Sequence, residues 1–190
     1  MVGESKGSPP VILKVIDMII IIEGIDRVGK TTLANKLSKE LNIPVFKKDR
    51  ICGNEAKDEE AVAFNFGNAA GLVDMWNWVD FKQDMIVDRF HWTESVYGEI
   101  DRGSNDSKYF MGLIEERMLL RKNKYLMIYM RPTSIERSSE EHGKDLSEHL
   151  KRFDELATNT QLNLIVGDYN QIDEIVKMVK EKVKCQDQEN

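Results

Sequence analysis

The apolar positions of the chain fall into short continuous runs separated by longer stretches of helical periodicity. Met18-Ile-Ile-Ile-Ile22 is apolar without a break and almost wholly β-branched. Such a run suits a strand of a parallel sheet, where both faces are covered and no polar alternation is required. Met85 to Asp88, Tyr125 to Met130 and Leu162 to Val166 repeat the pattern, and Pro44 bounds a shorter strand, Ile43 to Lys47. Lys30 to Leu41 places Leu33, Ala34, Leu37 and Leu41 at helical spacing. Ala56 to Val79, His91 to Ile100 and Tyr109 to Arg121 read as further helices, the last two joined by a polar loop, Asp101 to Ser107. Pro132 stops the fourth strand, and Ser134 to Asp145 is polar and charged. Ser147 is a cap candidate for a helix carrying Leu150, Phe153, Leu156 and Ala157. The last helix carries Ile172, Ile175, Val176, Val179 and Val183, with Asn170 and Asp173 at capping-box spacing.

Strands that alternate with helices from end to end predict an α/β domain, a parallel sheet covered on both faces. The 190 residues fit one domain with a full core. Residues 1–16 read as a flexible N-terminal arm in which Val11 to Ile16 is a candidate extra strand, 17–185 as the domain, and 186–190 as a flexible tail. The longest apolar stretch, Val11 to Ile22, is interrupted by Lys14 and Asp17 and is too short to span a bilayer. No small-residue cleavage site follows it. Cys52 and Cys185 are far apart and read as two free thiols in a reducing compartment. A cytoplasmic protein without membrane contact is expected.

Composition narrows the partners. Net charge is −6 and the pI about 5.2. A long nucleic acid needs a basic face to displace counterions, which this balance does not supply, whereas a small anion needs only a few cations.

Those cations are present in one place. Gly24-Ile-Asp-Arg-Val-Gly-Lys-Thr31 matches the P-loop pattern in full, with a strand run before it and an amphipathic helix after it. Backbone N–H groups of such a loop point at phosphate oxygens, and the helix N-terminus adds partial positive charge. Gly24, Val28, Gly29, Lys30, Thr31 and Thr32 are therefore expected to hold ATP, with Lys30 on the β- and γ-phosphates and Thr31 on Mg²⁺. A regulatory GTPase would show Asn-Lys-x-Asp after a strand. The nearest approach, Asn123-Lys-Tyr-Leu126, precedes a strand and lacks the acid.

Ile22-Glu-Gly-Ile-Asp-Arg-Val-Gly-Lys-Thr-Thr32, followed by Val87-Asp-Arg-Phe90 with Ser95 and Tyr97, resembles the thymidylate kinases and their deoxynucleoside-kinase relatives. The resemblance implies a P-loop NTPase three-layer sandwich with a five-stranded parallel sheet in the order 2-3-1-4-5, and a lid near 134–146. It implies that Asp26 meets the acceptor sugar, that Arg89 holds the acceptor phosphate, and that Arg27 clamps the transferring group. Asp88 stands near metal and P-loop. Glu23 stands beside acceptor and metal, and becomes the candidate base if the acceptor is a nucleoside. Asp26, Arg27, Asp88 and Phe90 favour a monophosphate acceptor, a pyrimidine such as dTMP or a related or modified dUMP. The alternatives on this scaffold are a deoxynucleoside kinase and a kinase of hydroxymethylated bases in DNA; outside it stands a nucleotide-binding switch. The implied cofactors are ATP and Mg²⁺, the partners small nucleotides, and a homodimer is common among such enzymes.

This chain departs from the family where thymine is read. Phe64-Asn-Phe-Gly-Asn-Ala-Ala-Gly71 contains no arginine. Phe64 and Phe66 are candidates to stack the base. Trp76, Trp78, His91, His142 and His149 read as packing or surface residues, and Lys47, Lys48 and Arg50 as a solvated face.

Overall fold

The computed structural model describes residues 17–47, 59–78, 84–136, 139–140 and 143–189. The N-terminal arm with its candidate strand, Lys48, Arg50, Cys52, Arg137 and His142 lie outside the described residues.

Five strands form one parallel sheet: β1 (Ile19–Glu23), β2 (Val45–Lys47), β3 (Met85–Asp88), β4 (Tyr125–Met130) and β5 (Asn163–Gly167), in the order β2-β3-β1-β4-β5. β1 is central. It pairs Ile22 with Asp88 of β3 on one side and Glu23 with Tyr129 of β4 on the other. Every residue of β1 and β4 is buried, the reason those runs carry no polar alternation.

Among the described residues, six α-helices cover the two faces: α1 (Lys30–Leu41), α2 (Glu59–Trp78), α3 (His91–Arg102), α4 (Ser107–Leu119), α5 (Ser147–Asn159) and α6 (Ile172–Glu189). α1 turns Leu33, Ala34 and Leu37 inward and packs against α6, which buries Ile175 and Val179. α3 packs against α2, α4 and α5. Asn42, in the left-handed region at φ 56, ends α1, a conformation that asparagine tolerates.

Local details differ from the sequence expectations. α3 continues through Asp101 and Arg102, and α4 begins at Ser107, so the polar loop between them is only Gly103 to Asp106. Ser147 does not cap α5. It is the first helical residue, and its N–H and hydroxyl both donate to Asp145 Oδ1, at 2.9 and 2.6 Å. The capping box before α6 is Asp168 with Gln171, two residues earlier than expected, because a 3-10 turn at Tyr169–Gln171 precedes the helix. α6 itself runs to Glu189, into the segment read as a tail.

Candidate active site

The carboxyl ends of β1, β3, β4 and β5 open into one cleft of about 1040 Å³. Ligands of open α/β sheets bind at this edge. The cleft is lined by the loop from Asp26 to Thr32, Arg89 after β3, Pro132 to Ser134 after β4, and Asp168 to Asn170 after β5.

The loop conformation explains its glycines. Gly24 has φ 142, and a Cβ there would stand 2.5 Å from the Met130 carbonyl oxygen. Gly29 has φ 86, and a Cβ would run into the Tyr169 ring. Neither position accepts a side chain. Arg27 also adopts a positive φ, 68°, with its side chain exposed on the cleft rim. The Val28 side chain is buried, so its contribution to the cleft comes from the backbone.

Lys30 is buried although it belongs to the P-loop. It is 4% exposed, and its ammonium donates to the carbonyls of Gly24 at 2.9 Å and Ile25 at 2.5 Å. Burial, reinforced by the Arg89 charge, pushes its pKa down to about 8. A phosphate would compete with those two carbonyls for the same ammonium and supply the countercharge they lack.

Thr31 and Asp88 meet as a pair. The threonine hydroxyl donates to Asp88 Oδ2 at 2.6 Å, while Asp88 Oδ1 is buried and accepts nothing. An unpaired buried carboxylate oxygen calls for a ligand. Two hard oxygen donors side by side fit Mg²⁺, which takes few protein ligands and keeps its remaining places for water and phosphate.

Arg89 and Asp26 form the opposite wall. Arg89 is held at φ 70 and reaches Asp26 Oδ1 at 2.9 Å. The Asp26 N–H donates to the Tyr97 hydroxyl at 3.0 Å.

Glu23 ends β1 beside the P-loop, close enough for its charge to act on Lys30, but it is not a free base. It is fully buried, and all of its accepting capacity is used inside the protein. Oε1 accepts from the N–H of Phe90 at 3.0 Å and of Trp92 at 2.8 Å; Oε2 accepts from the N–H and hydroxyl of Thr93, at 3.2 and 2.5 Å. These are the orphan donors at the start of α3, so Glu23 caps that helix from the neighbouring strand. It holds the turn that presents Arg89, and both of its oxygens are engaged in that cap.

Phe66 is likewise corrected. At 1% exposure it stacks on Phe110, ring centroids 5.7 Å apart, and belongs to the core. Phe64, on the same helix, is 52% exposed and stays available. Trp76 is core, as expected, and His91 and His149 are buried beside Glu115 and Asp101.

Two groups of residues escaped the sequence reading. Asp168 ties two loops together: Oδ2 accepts from the N–H and hydroxyl of Thr133, at 2.6 and 2.5 Å, and Oδ1 from the Asn170 N–H at 3.0 Å. The Thr133 hydroxyl and Asn170 N–H hold its carboxyl below the usual carboxylate range. This clamp sets Tyr169 over Gly29. The second group is Glu94, which is 7% exposed and receives Arg102 at 2.5 Å and Asn65 Nδ2 at 3.1 Å. Glu94 and Tyr97 are three residues apart on α3 and share a face. Glu94 and Arg102 lie about two turns apart on α3, and only the packing of α2 against α3 brings Asn65 to them.

No family model matches the chain. YorR of Bacillus subtilis strain 168, an uncharacterized protein from the SPbeta prophage, is 27% identical over 168 residues, 84% of this chain and 94% of its own. Its crystal structure, in complex with phosphorylated GDP, is similar at a TM-score of 0.66, covering 90% of this chain and 98% of that one. Deoxyadenosine kinase from M. mycoides is similar at 0.59, with 15% identity over 88% of this chain and 100% of its own. Thymidylate kinase from Candida albicans gives 0.54, with 19% identity over 90% and 92%. The chain has the P-loop kinase fold of the thymidylate and deoxynucleoside kinases. The five-stranded order and the P-loop after the central strand are those that the resemblance implied. Among the described residues no helix is long and apolar enough to cross a membrane.

Proposed function

We propose that the protein transfers the γ-phosphoryl group of ATP to a deoxynucleoside monophosphate. The observation that carries this reading is the placement, in one cleft, of a phosphate cradle on one side and the Asp26–Arg89 pair on the other. The similarity in fold to nucleotide kinases supports phosphoryl transfer between nucleotides.

ATP lies along residues 24–32, its base toward Thr133 and Tyr169. Lys30 leaves its two carbonyls for the β- and γ-phosphates, and Arg27 reaches the transferring group from the rim. Thr31 and Asp88 would hold Mg²⁺, whose charge would offset the negative charge of the phosphates during transfer. Arg89 binds the acceptor phosphate and Asp26 the sugar. Positioning and cationic stabilisation then supply most of the rate. A monophosphate oxygen is already ionised and needs no base. That agrees with Glu23, whose carboxylate is fully engaged, and weighs against a nucleoside acceptor. ATP and deoxynucleotides as substrates place the reaction in the cytoplasm.

On the base, the resemblance favours a pyrimidine, dTMP or a related dUMP. YorR, with its phosphorylated GDP, keeps a purine open.

The wall assignment is tested by Arg89→Ala. Loss of charge-assisted hydrogen bonds should weaken the monophosphate by about 1.5–3 kcal/mol, roughly ten- to hundredfold, with ATP affinity unchanged in calorimetry. Equal loss for both ligands would remove Arg89 from the acceptor.

A further inference from the structure

Beside the cleft, side chains from α3, α5 and the β4–α5 connection make one packed unit. Asp101 of α3 receives Lys144 Nζ on both oxygens, each at 2.7 Å, and His149 Nε2 on Oδ1 at 2.9 Å. His149 lies against Tyr97 with ring centroids 4.8 Å apart. Lys144 Nζ is 5.4 Å from the centre of the same ring, within cation–π range. Tyr97 is 2% exposed, and its hydroxyl ends the unit by accepting the Asp26 N–H at 3.0 Å.

Packing alone does not account for this arrangement. His149 is buried with Nδ1 lacking any hydrogen-bond partner, a cost that an apolar ring of similar size would avoid. What the imidazole supplies and a hydrocarbon does not is the Nε2 bond that fixes Asp101. Asp101 in turn fixes Lys144, two residues before Leu146, where the connection from β4 reaches α5. Lys144 is thus committed to Asp101 and is not a free cation for phosphate. Lys144 and the acceptor residue Asp26 share one intermediary, the Tyr97 side chain.

We propose that Lys144, Asp101 and His149 are positioning residues that act through Tyr97 on Asp26, tying the entry to α5 to the acceptor side of the P-loop. The inference rests on reading Asp26 and Arg89 as the acceptor wall. Releasing Lys144 unloads one face of the Tyr97 ring, the hydroxyl drifts from the Asp26 N–H, and the Asp26–Arg89 pair loses its fixed place. Small displacements of a binding group carry large kinetic penalties.

Two measurements on the full chain test this. Amide hydrogen exchange at Asp26 reads the Tyr97 contact without any substrate. Steady-state kinetics with ATP and a monophosphate reads the consequence. In Lys144→Met, exchange at Asp26 should quicken about tenfold, and the acceptor KM should rise about five- to tenfold with the ATP KM unchanged. Lys144→Arg, which can meet Asp101 in a fork and lie on the Tyr97 ring, should restore both values. Tyr97→Phe combined with Lys144→Met should be no worse than Tyr97→Phe alone, since the hydroxyl contact is already gone. Unchanged Asp26 exchange in folded Lys144→Met, or additive effects in the double variant, would overturn the inference. So would a fall in kcat with both KM values unchanged, which would make Lys144 a phosphate-facing cation. If the wild type phosphorylates no monophosphate, the proposed function fails by itself, and the exchange result at Asp26 still decides the coupling.

Discussion

Replacing Glu23 by glutamine separates a helix cap from a catalytic base. If the amide oxygen takes the place of Oε1, the bonds from Phe90 and Trp92 survive. The amide nitrogen then faces the Thr93 N–H, donor against donor, and the Thr93 hydroxyl must turn to accept. One charge-assisted bond at about 1.5–3 kcal/mol, together with loss of the anion at the α3 N-terminus, gives a destabilisation of about 2–4 kcal/mol. For a domain of this size that lowers Tm by about 5–15 °C. Arg89, held at a positive φ between Asp88 and the capped Phe90, depends on this turn, so acceptor KM should rise with it. Urea unfolding followed by circular dichroism gives the stability, and coupled kinetics give the KM. Wild-type stability with a kcat reduced more than about a thousandfold would contradict the cap and make Glu23 a base.

Lys30→Ala should lower kcat at least about a hundredfold, the scale for removing one preorganised cationic contact. Its Tm should move by only about 2–4 °C, because relief of a buried charge offsets two carbonyls left without a donor; a large loss of stability would mean that Lys30 serves the fold. A pH titration of stability should show a contribution from Glu115, which accepts from Trp92 Nε1 at 2.7 Å, His91 Nε2 at 3.4 Å and Thr160. Burial pushes its carboxyl up, but the His91 and Trp92 contacts outweigh burial and hold it below the usual glutamate range. With the folded pKa below the unfolded one, this contribution is complete above about pH 5 and lost as pH falls through the folded value. Urea midpoints of Glu115→Gln should therefore lie below wild type near neutrality and converge with it as pH falls through the folded carboxyl's titration, and a constant gap would contradict the assignment.

The legible parts of the molecule are those where one local rule decides. Ile19 to Ile22 reads as a doubly covered strand from its unbroken β-branched run, and Gly24 to Thr31 reads as a phosphate cradle from its motif and its place between a strand and a helix. The strand order came from the family resemblance, since periodicity alone does not say which strands are neighbours. Burial of Lys30 was illegible because the carbonyls that receive it belong to its own loop, whose path no spacing reveals. Phe64 and Phe66 are two residues apart on a helix, and only the position of Phe110 tells which is core. Glu23 looks like a catalytic acid in sequence; its three backbone partners come from residues 90–93, brought beside it by the β1–β3 pairing. Tyr169 over Gly29, and Asp168 between two loops, are tertiary contacts without a local signature.

The central claim is tested most directly by incubating the protein with γ-labelled ATP, Mg²⁺ and matched pairs of deoxynucleosides and their monophosphates, then identifying the labelled product. Labelled diphosphate from at least one monophosphate, formed far faster than any monophosphate from the matching nucleoside, is the predicted result. Faster turnover of a nucleoside, or release of phosphate with no labelled nucleotide at all, would contradict it.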